Sequence, residues 1–220
     1  MTPVWPILQK DLLLEFRTKE ALSALVVLVV LVLLTFVFAL DPQGASAAAP
    51  AVLWVTFVFA GLLAVQRAFL VERENGSWDG LLLAPVDRGA IFAAKMAGNL
   101  VVLAIAQVVL FLLLMLFLGL ELPRAPFAFL VVNMLGLVGF SALATLFAAI
   151  SVRMRAREML LPLLVLPLFV PVVICAVEAS RILLAGGSTA SAAAWIRVLV
   201  AFDVIFTVTG WMIFDQIVQE

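Results

Sequence analysis

The chain has 220 residues, 66% of them hydrophobic and only 12% charged, with 13 Lys and Arg against 14 Asp and Glu. No soluble domain of this size needs so much apolar surface, and the net charge of −1 indicates no partner by itself. The sequence contains no His, which removes the commonest metal ligand, the commonest general base and the usual haem axial ligand, and its one cysteine, Cys175, allows no intrachain disulfide.

Residues 3–20 are mixed in character, with Trp5, Leu8, Leu12 and Phe16 on one helical stripe and Lys10, Arg17 and Lys19 elsewhere. The pattern predicts an amphipathic helix lying on the membrane surface, against the plainer reading of a solvated extension. Six apolar blocks follow, near or beyond the ~20 residues that span a bilayer, over about 21–40, 50–70, 97–120, 126–150, 158–180 and 194–215. The fold class expected is therefore all-α: one polytopic membrane domain over residues 1–220. A β-barrel would instead show ~10-residue alternating segments. Ala45-Ser46-Ala47 resembles a signal-peptidase site, but the first block exceeds the ~7–15 residues of a signal core and a charged segment precedes it, so an uncleaved span is expected. Without tyrosine, any aromatic belt rests on Trp54, Trp195 and Trp211 near span ends.

Orientation follows from the cations. Ten of the 13 Lys and Arg fall before the first span, between the second and third, or between the fourth and fifth. The positive-inside rule puts those segments, and both termini, in the cytoplasm. The opposite loops, DPQGASAAAP, ELPRAP and LLAGGSTASAAA, are short and bland.

Several spans carry polar or helix-breaking residues. Gln107, Asn133 and Asn99 read as interhelical glue, and Gly136 and Gly139 as points of close helix contact. Pro162, Pro167 and Pro171 interrupt the fifth block; each removes a backbone donor, so that helix is expected against protein or a cavity rather than lipid, with a simple kink as the alternative. Glu178 and Arg181 have ion-pair spacing. Asp203 lies well inside the last span, where a carboxylate costs ~2.5–3.5 kcal/mol on insertion scales and needs a partner, water or a proton. Interfacial ion pairing and the lining of a polar pathway both fit these acids.

The charged island ERENGSWDGLLLAPVDRGAIFAAK, residues 72–95, stands between two apolar blocks. Asn75-Gly76 predicts a turn, Trp78 with Leu81–Leu83 a short apolar helix stopped before Pro85, and Asp87 the cap of a helix starting near Gly89 that runs through Lys95 into the third span. An apolar knob with charged flanks suits docking into a groove on a soluble partner better than it suits an idle loop. Chemistry on this chain is not expected. No lysine follows a glycine, so there is no P-loop, and without His there is neither a Ser-His-Asp triad nor a His-based zinc site.

Glu72-Arg73-Glu74-Asn75-Gly76, Leu82-Leu83-Ala84-Pro85 and Lys95 resemble the first cytoplasmic loop of type-2 ABC-transporter permeases. Further marks cover essentially the whole chain: Lys10-Asp11-Leu12 with Glu15 and Arg17, FAGLLAVQRAFLVERENG, LLLAPVDRGAIFAAK, and LPLLVLPLFVPVVI followed by Ala-Val-Glu-Ala. Together they are similar to the CcmB family, a membrane component of the cytochrome c maturation haem exporter. The resemblance implies a bacterial inner-membrane permease, two copies per complex, working with a CcmA-like ATPase that binds ATP and with CcmC-like and CcmD-like membrane proteins. It also implies indirect service to a periplasmic haem chaperone. The coupling segment would then comprise Glu72, Arg73, Glu74, Gly76, Trp78, Leu82, Pro85 and Lys95. Haem would be cargo, not a resident cofactor, since His-ligated haem cannot be held by this chain alone. Whether haem crosses this permease or the permease drives release of the loaded chaperone stays open. So do a type-2 permease for a drug, lipid or polysaccharide, a non-transporting assembly scaffold, and a proton-coupled transporter supported by Asp203 alone. No nucleic acid is expected as a partner.

Overall fold

A computed structural model describes residues 4–18, 20–74, 86–151 and 157–219. The described residues form seven helices and no strand: α1 (Val4–Thr18), α2 (Glu20–Ala39), α3 (Pro42–Glu74), α4 (Arg88–Leu118), α5 (Pro126–Ser151), α6 (Arg157–Leu184) and α7 (Thr189–Gln219). Apolar stretches of 24 to 31 residues in α3 to α7 make these five helices long enough to cross a bilayer. In α2 the helix is 20 residues long, and its described apolar stretch is the shorter Val26–Ala39. The chain is thus a multi-pass helical membrane protein.

The helices outrun the apolar blocks because local chemistry extends them. The first bland loop is mostly helix. Pro42 opens α3 at a position where its missing N–H is no loss, and Asp41 caps the turn, its Oδ1 accepting from the Gly44 N–H at 3.1 Å. Pro50 is then carried inside the helix. Pro126 opens α5 in the same way. Gly119 (φ 62°) ends α4 and Gly186 (φ 81°) ends α6 in the left-handed region that a Cβ disfavours.

The centre of the molecule is α5, packed most extensively on α7 and α6 and also contacting α3 and α4. Hydrophobicity does not distinguish a neighbouring helix from lipid, so close fit and hydrogen bonds must hold these helices together. Gly136 and Gly139 supply the fit. A Cβ at Gly136 would overlap the Trp54 ring, and one at Gly139 would stand 2.5 Å from Asp203 Oδ1. From Trp54 an aromatic series runs through Phe57, Phe140, Phe169 and Phe202, with centroids 5.1 to 6.0 Å apart, crossing from α3 to α7. The hydrogen bonds run along α4 and α5: Gln107 Nε2 donates to Asn133 Oδ1 at 2.9 Å, Asn99 Nδ2 to Thr145 Oγ1 at 2.8 Å, and Ser141 Oγ to the Met96 carbonyl at 2.7 Å. The glue expected of these amides is what they form.

One expectation is corrected and two are refined. Trp54 is no belt residue: it is fully buried, and its Nε1 donates to Ser180 Oγ at 2.9 Å, because Gly136 leaves a slot for the indole. In the described part of α1, Val4, Ile7, Leu8, Asp11 and Leu12 are the more buried residues, and Trp5 of the expected stripe is 62% exposed and turned away from the bundle. Finally, α6 is one continuous helix through Pro162, Pro167 and Pro171. Pro162 is half-buried, but Pro167 and Pro171 lie on the exposed side of the bundle, because Val165, Phe169 and Val172 take the inward face.

Candidate coupling site

The charged island is split by the fold. Glu72, Arg73 and Glu74 make the last turn of α3, so they extend a helix and do not belong to a loop. Gly76, Trp78, Leu82 and Pro85, and with them the short apolar helix expected around Trp78, lie outside the described residues. Asp87 caps α4 as its spacing predicts, its Oδ2 accepting from the Ala90 N–H at 3.2 Å, and the helix starts at Arg88. The segment between therefore enters from one long helix and leaves through another, each of them reaching into the apolar bundle.

Lys95 is not the water-facing residue that the sequence suggests. It is 5% exposed, and its Nζ donates to Asp11 Oδ2 at 2.7 Å. The cause is α1, which packs far more closely on α4 than on α2, the helix it precedes. Leu8 and Asp11 lie over Gly98, where an added Cβ would make ordinary contacts of 3.7 and 3.8 Å. Lys10 Nζ approaches the other oxygen, Asp11 Oδ1, at 3.2 Å, so one carboxylate serves two ammonium groups. That carboxylate offsets the cost of burying the Lys95 ammonium. Asp11 escaped the sequence reading as a site residue. Its signal was an acid between Leu8 and Leu12, inside the apolar stripe of an amphipathic helix.

The end of α7 completes this face of the bundle. The Trp211 ring lies against Gly89, where an added Cβ would be 2.7 Å from it, and Phe92 meets Phe214 at a centroid distance of 5.5 Å. The N-terminal helix, the start of α4 and the last turns of the chain thus share one side. On the opposite side Arg124 packs against Gly186, joining the two loops at that end.

The intramembrane candidates do not converge. Arg181 donates to Glu178 Oε2 through both Nε, at 3.1 Å, and Nη2. The pair is local and Arg181 is exposed, so it sits at the rim. Asp203 is 6% exposed, and neither carboxylate oxygen has a hydrogen-bond partner among the described residues. Arg197 does not reach it: its Nε turns to the Ala193 carbonyl, at 3.4 Å. No cluster of three or more potential metal ligands occurs among the described residues.

Residues 2–214 match the family model described as CcmB protein. The chain belongs to the CcmB family. It is 38% identical over 151 residues to heme exporter protein B of Paracoccus denitrificans, 66% of each chain. It is 32% identical over 181 residues to heme exporter protein B of Rhodobacter capsulatus, covering 80% of this chain and 81% of that one. Against heme exporter protein B of Pseudomonas aeruginosa it is 28% identical over 203 residues, 91% of each. In CcmB terms, Asp11, Lys95 and the segment between α3 and α4 all lie within the matched residues.

Proposed function

We propose that this chain is the permease of an ABC exporter complex for cytochrome c maturation. It would cross the bacterial inner membrane six times, with α2 as the first span and both termini and residues 72–95 in the cytoplasm. The observation that carries this reading is the family match over residues 2–214, with relatives named heme exporter protein B. The cytoplasmic assignment draws on ten of 13 cations falling on one side and on α1, the start of α4 and the end of α7 sharing a face.

In this reading the chain catalyses nothing and holds no resident cofactor. A separate CcmA-like ATPase hydrolyses ATP, and its closure pushes on the segment from Glu72 to Lys95, with Gly76 to Pro85 as the contact. The push enters α3 and α4 at their ends. Because Lys95 is bound to Asp11, α1 moves with α4, and the bundle rocks as a body. The output is haem delivery to a periplasmic chaperone, by export of haem or by release of the loaded chaperone, in company with CcmC-like and CcmD-like proteins.

The resemblance implies two copies per complex, and α6 supports that reading. Pro167 and Pro171 leave the carbonyls of Leu163 and Pro167 without their helical donors, on an exposed face with Leu163, Val170 and Ile174. Lipid cannot satisfy a free carbonyl, so a second copy on this face is the better neighbour.

The test is deletion of the gene in its native host, followed by haem staining of membrane proteins and affinity purification of the restored, tagged chain. Loss of c-type cytochromes, and co-purification of an ATPase, are expected. Normal cytochrome c in the deletion strain defeats the proposal.

A further inference from the structure

Away from the Lys95 end, α4, α5 and the loop residues Leu122 and Pro123 line a groove of about 240 Å³. Its walls are apolar apart from Gln107 and Asn133. The rim residues Val108, Leu112 and Leu130 are exposed, so the groove opens sideways from the bundle. It stands apart from the coupling face, since none of its lining residues belongs to the Asp11–Lys95 end.

The amide pair in this groove is only partly satisfied. Asn133 Nδ2 donates to the Phe129 carbonyl at 2.8 Å, which fixes its orientation and turns Oδ1 toward Gln107. Gln107 must then present Nε2 to that oxygen, at 2.9 Å, since the flipped amide would set two acceptors together. Gln107 Oε1 is left over. The residue is 4% exposed and this oxygen has no hydrogen-bond partner among the described residues. Helix-to-helix glue accounts for Nε2 and not for Oε1, and the hydrocarbon beyond the rim supplies no donor.

We infer that the groove binds a lipid-phase molecule with a hydrocarbon body and a single hydroxyl or amide N–H, which donates to Gln107 Oε1. The orphan atom belongs to a residue that lines the groove and is an acceptor, so the ligand must carry a donor; it is neutral, and no charged side chain lines the groove, so an ionised headgroup has no counter-charge there. The volume lies below the ~300–1,000 Å³ of sites that enclose a whole drug-sized ligand. One end or one chain of the molecule therefore enters, and the remainder stays in the bilayer.

The test uses the full chain in phosphatidylcholine proteoliposomes and two photoreactive probes: a long-chain primary alcohol with a mid-chain diazirine, and its methyl ether. The alcohol should label peptides carrying Val108, Leu112 or Met134 about fivefold more than the ether, the ratio that one net hydrogen bond gives. Gln107→Leu should bring the alcohol down to the level of the ether. Should that variant fail to fold, Met134→Trp fills the groove with the amide pair untouched and should abolish the preference as well. Equal labelling by both probes overturns the inference, as does equally strong labelling of the exposed face of α2. So would a groove cross-link in native membranes that captures another protein's helix in preference to the alcohol.

Discussion

Lys95 and Asp11 are separated by 84 positions in the chain, and their side chains meet at 2.7 Å between α1 and α4. The pair is asymmetric. Asp11 also faces the exposed Lys10, whereas Lys95 is buried and has Asp11 as its ion-pair partner. Removing the acid takes the 2.7 Å contact from a buried ammonium; removing the ammonium leaves a more exposed carboxylate with Lys10 still beside it. Asp11→Ala should therefore destabilise the detergent-solubilised protein by about 3 kcal/mol, the low end for a broken buried pair, because Asp11 keeps some solvent contact. Lys95→Met should cost clearly less. Thermal melts of the two variants check the order, and equal losses would mean that α1 is held by packing alone.

The Trp54–Ser180 contact gives a second ordering. Trp54→Phe removes the donor to a buried hydroxyl, and hydrogen bonds between membrane helices average about 0.6 kcal/mol. Gly136→Ala drives a methyl group into the indole, in the middle of α5, where overpacking costs about 1–3 kcal/mol. The glycine variant should melt lower than the tryptophan variant. In the double variant the two losses should fall short of additivity, since the smaller ring of Phe relieves the overlap.

Much of this arrangement was readable in the sequence, because it depends on local chemistry. Apolar length gave the long helices α3 to α7, Asp87 gave the start of α4, and the amides of Gln107 and Asn133 gave a bond between helices. What escaped depends on which face each helix turns inward. Trp54 near a span end looks the same whether it meets headgroups or a glycine on another helix. Lys95 looks aqueous until α1 is known to fold back over α4. The prolines of α6 remove donors in the sequence, but only the packing of Phe169 inward shows that Pro167 and Pro171 face out. The length of the first loop misled for a simpler reason: Pro42 opens a helix, and the bland composition of its surroundings hid that, whereas α5 starts at Pro126 where the fourth block was expected to begin.

Asp203 lies in a close contact between α7 and α5, with its carboxylate against Gly139 and no hydrogen-bond partner among the described residues. An amide of the same shape carries no charge to desolvate and brings its own donor. Asp203→Asn should match or exceed the parent chain in thermal stability, and it should support cytochrome c maturation in the deletion strain. A stable but inactive Asp203→Asn variant would revive proton coupling through this carboxylate. Gly139→Ala, by contrast, should destabilise, since the new methyl group would stand 2.5 Å from Oδ1.

The exposed face of α6 makes the two-copy assembly directly testable. Ile174 is 53% exposed on the same helix as Pro167 and Pro171, whereas Val108, 56% exposed, belongs to the groove on α4. The native thiol, Cys175, is buried and should not interfere. Ile174→Cys should give an oxidant-dependent dimer of the chain on non-reducing gels of native membranes, and Val108→Cys should not. Two facing Cys must bring their Cα atoms within about 7 Å, so a positive result also places the axis relating the copies beside α6. A scan of Leu168, Val170 and Ile174 should then cross-link with helical periodicity. Cross-linking equally strong at Val108, or absent along all of α6, would move the second copy to another face and leave the freed carbonyls beside Pro167 and Pro171 to a different partner.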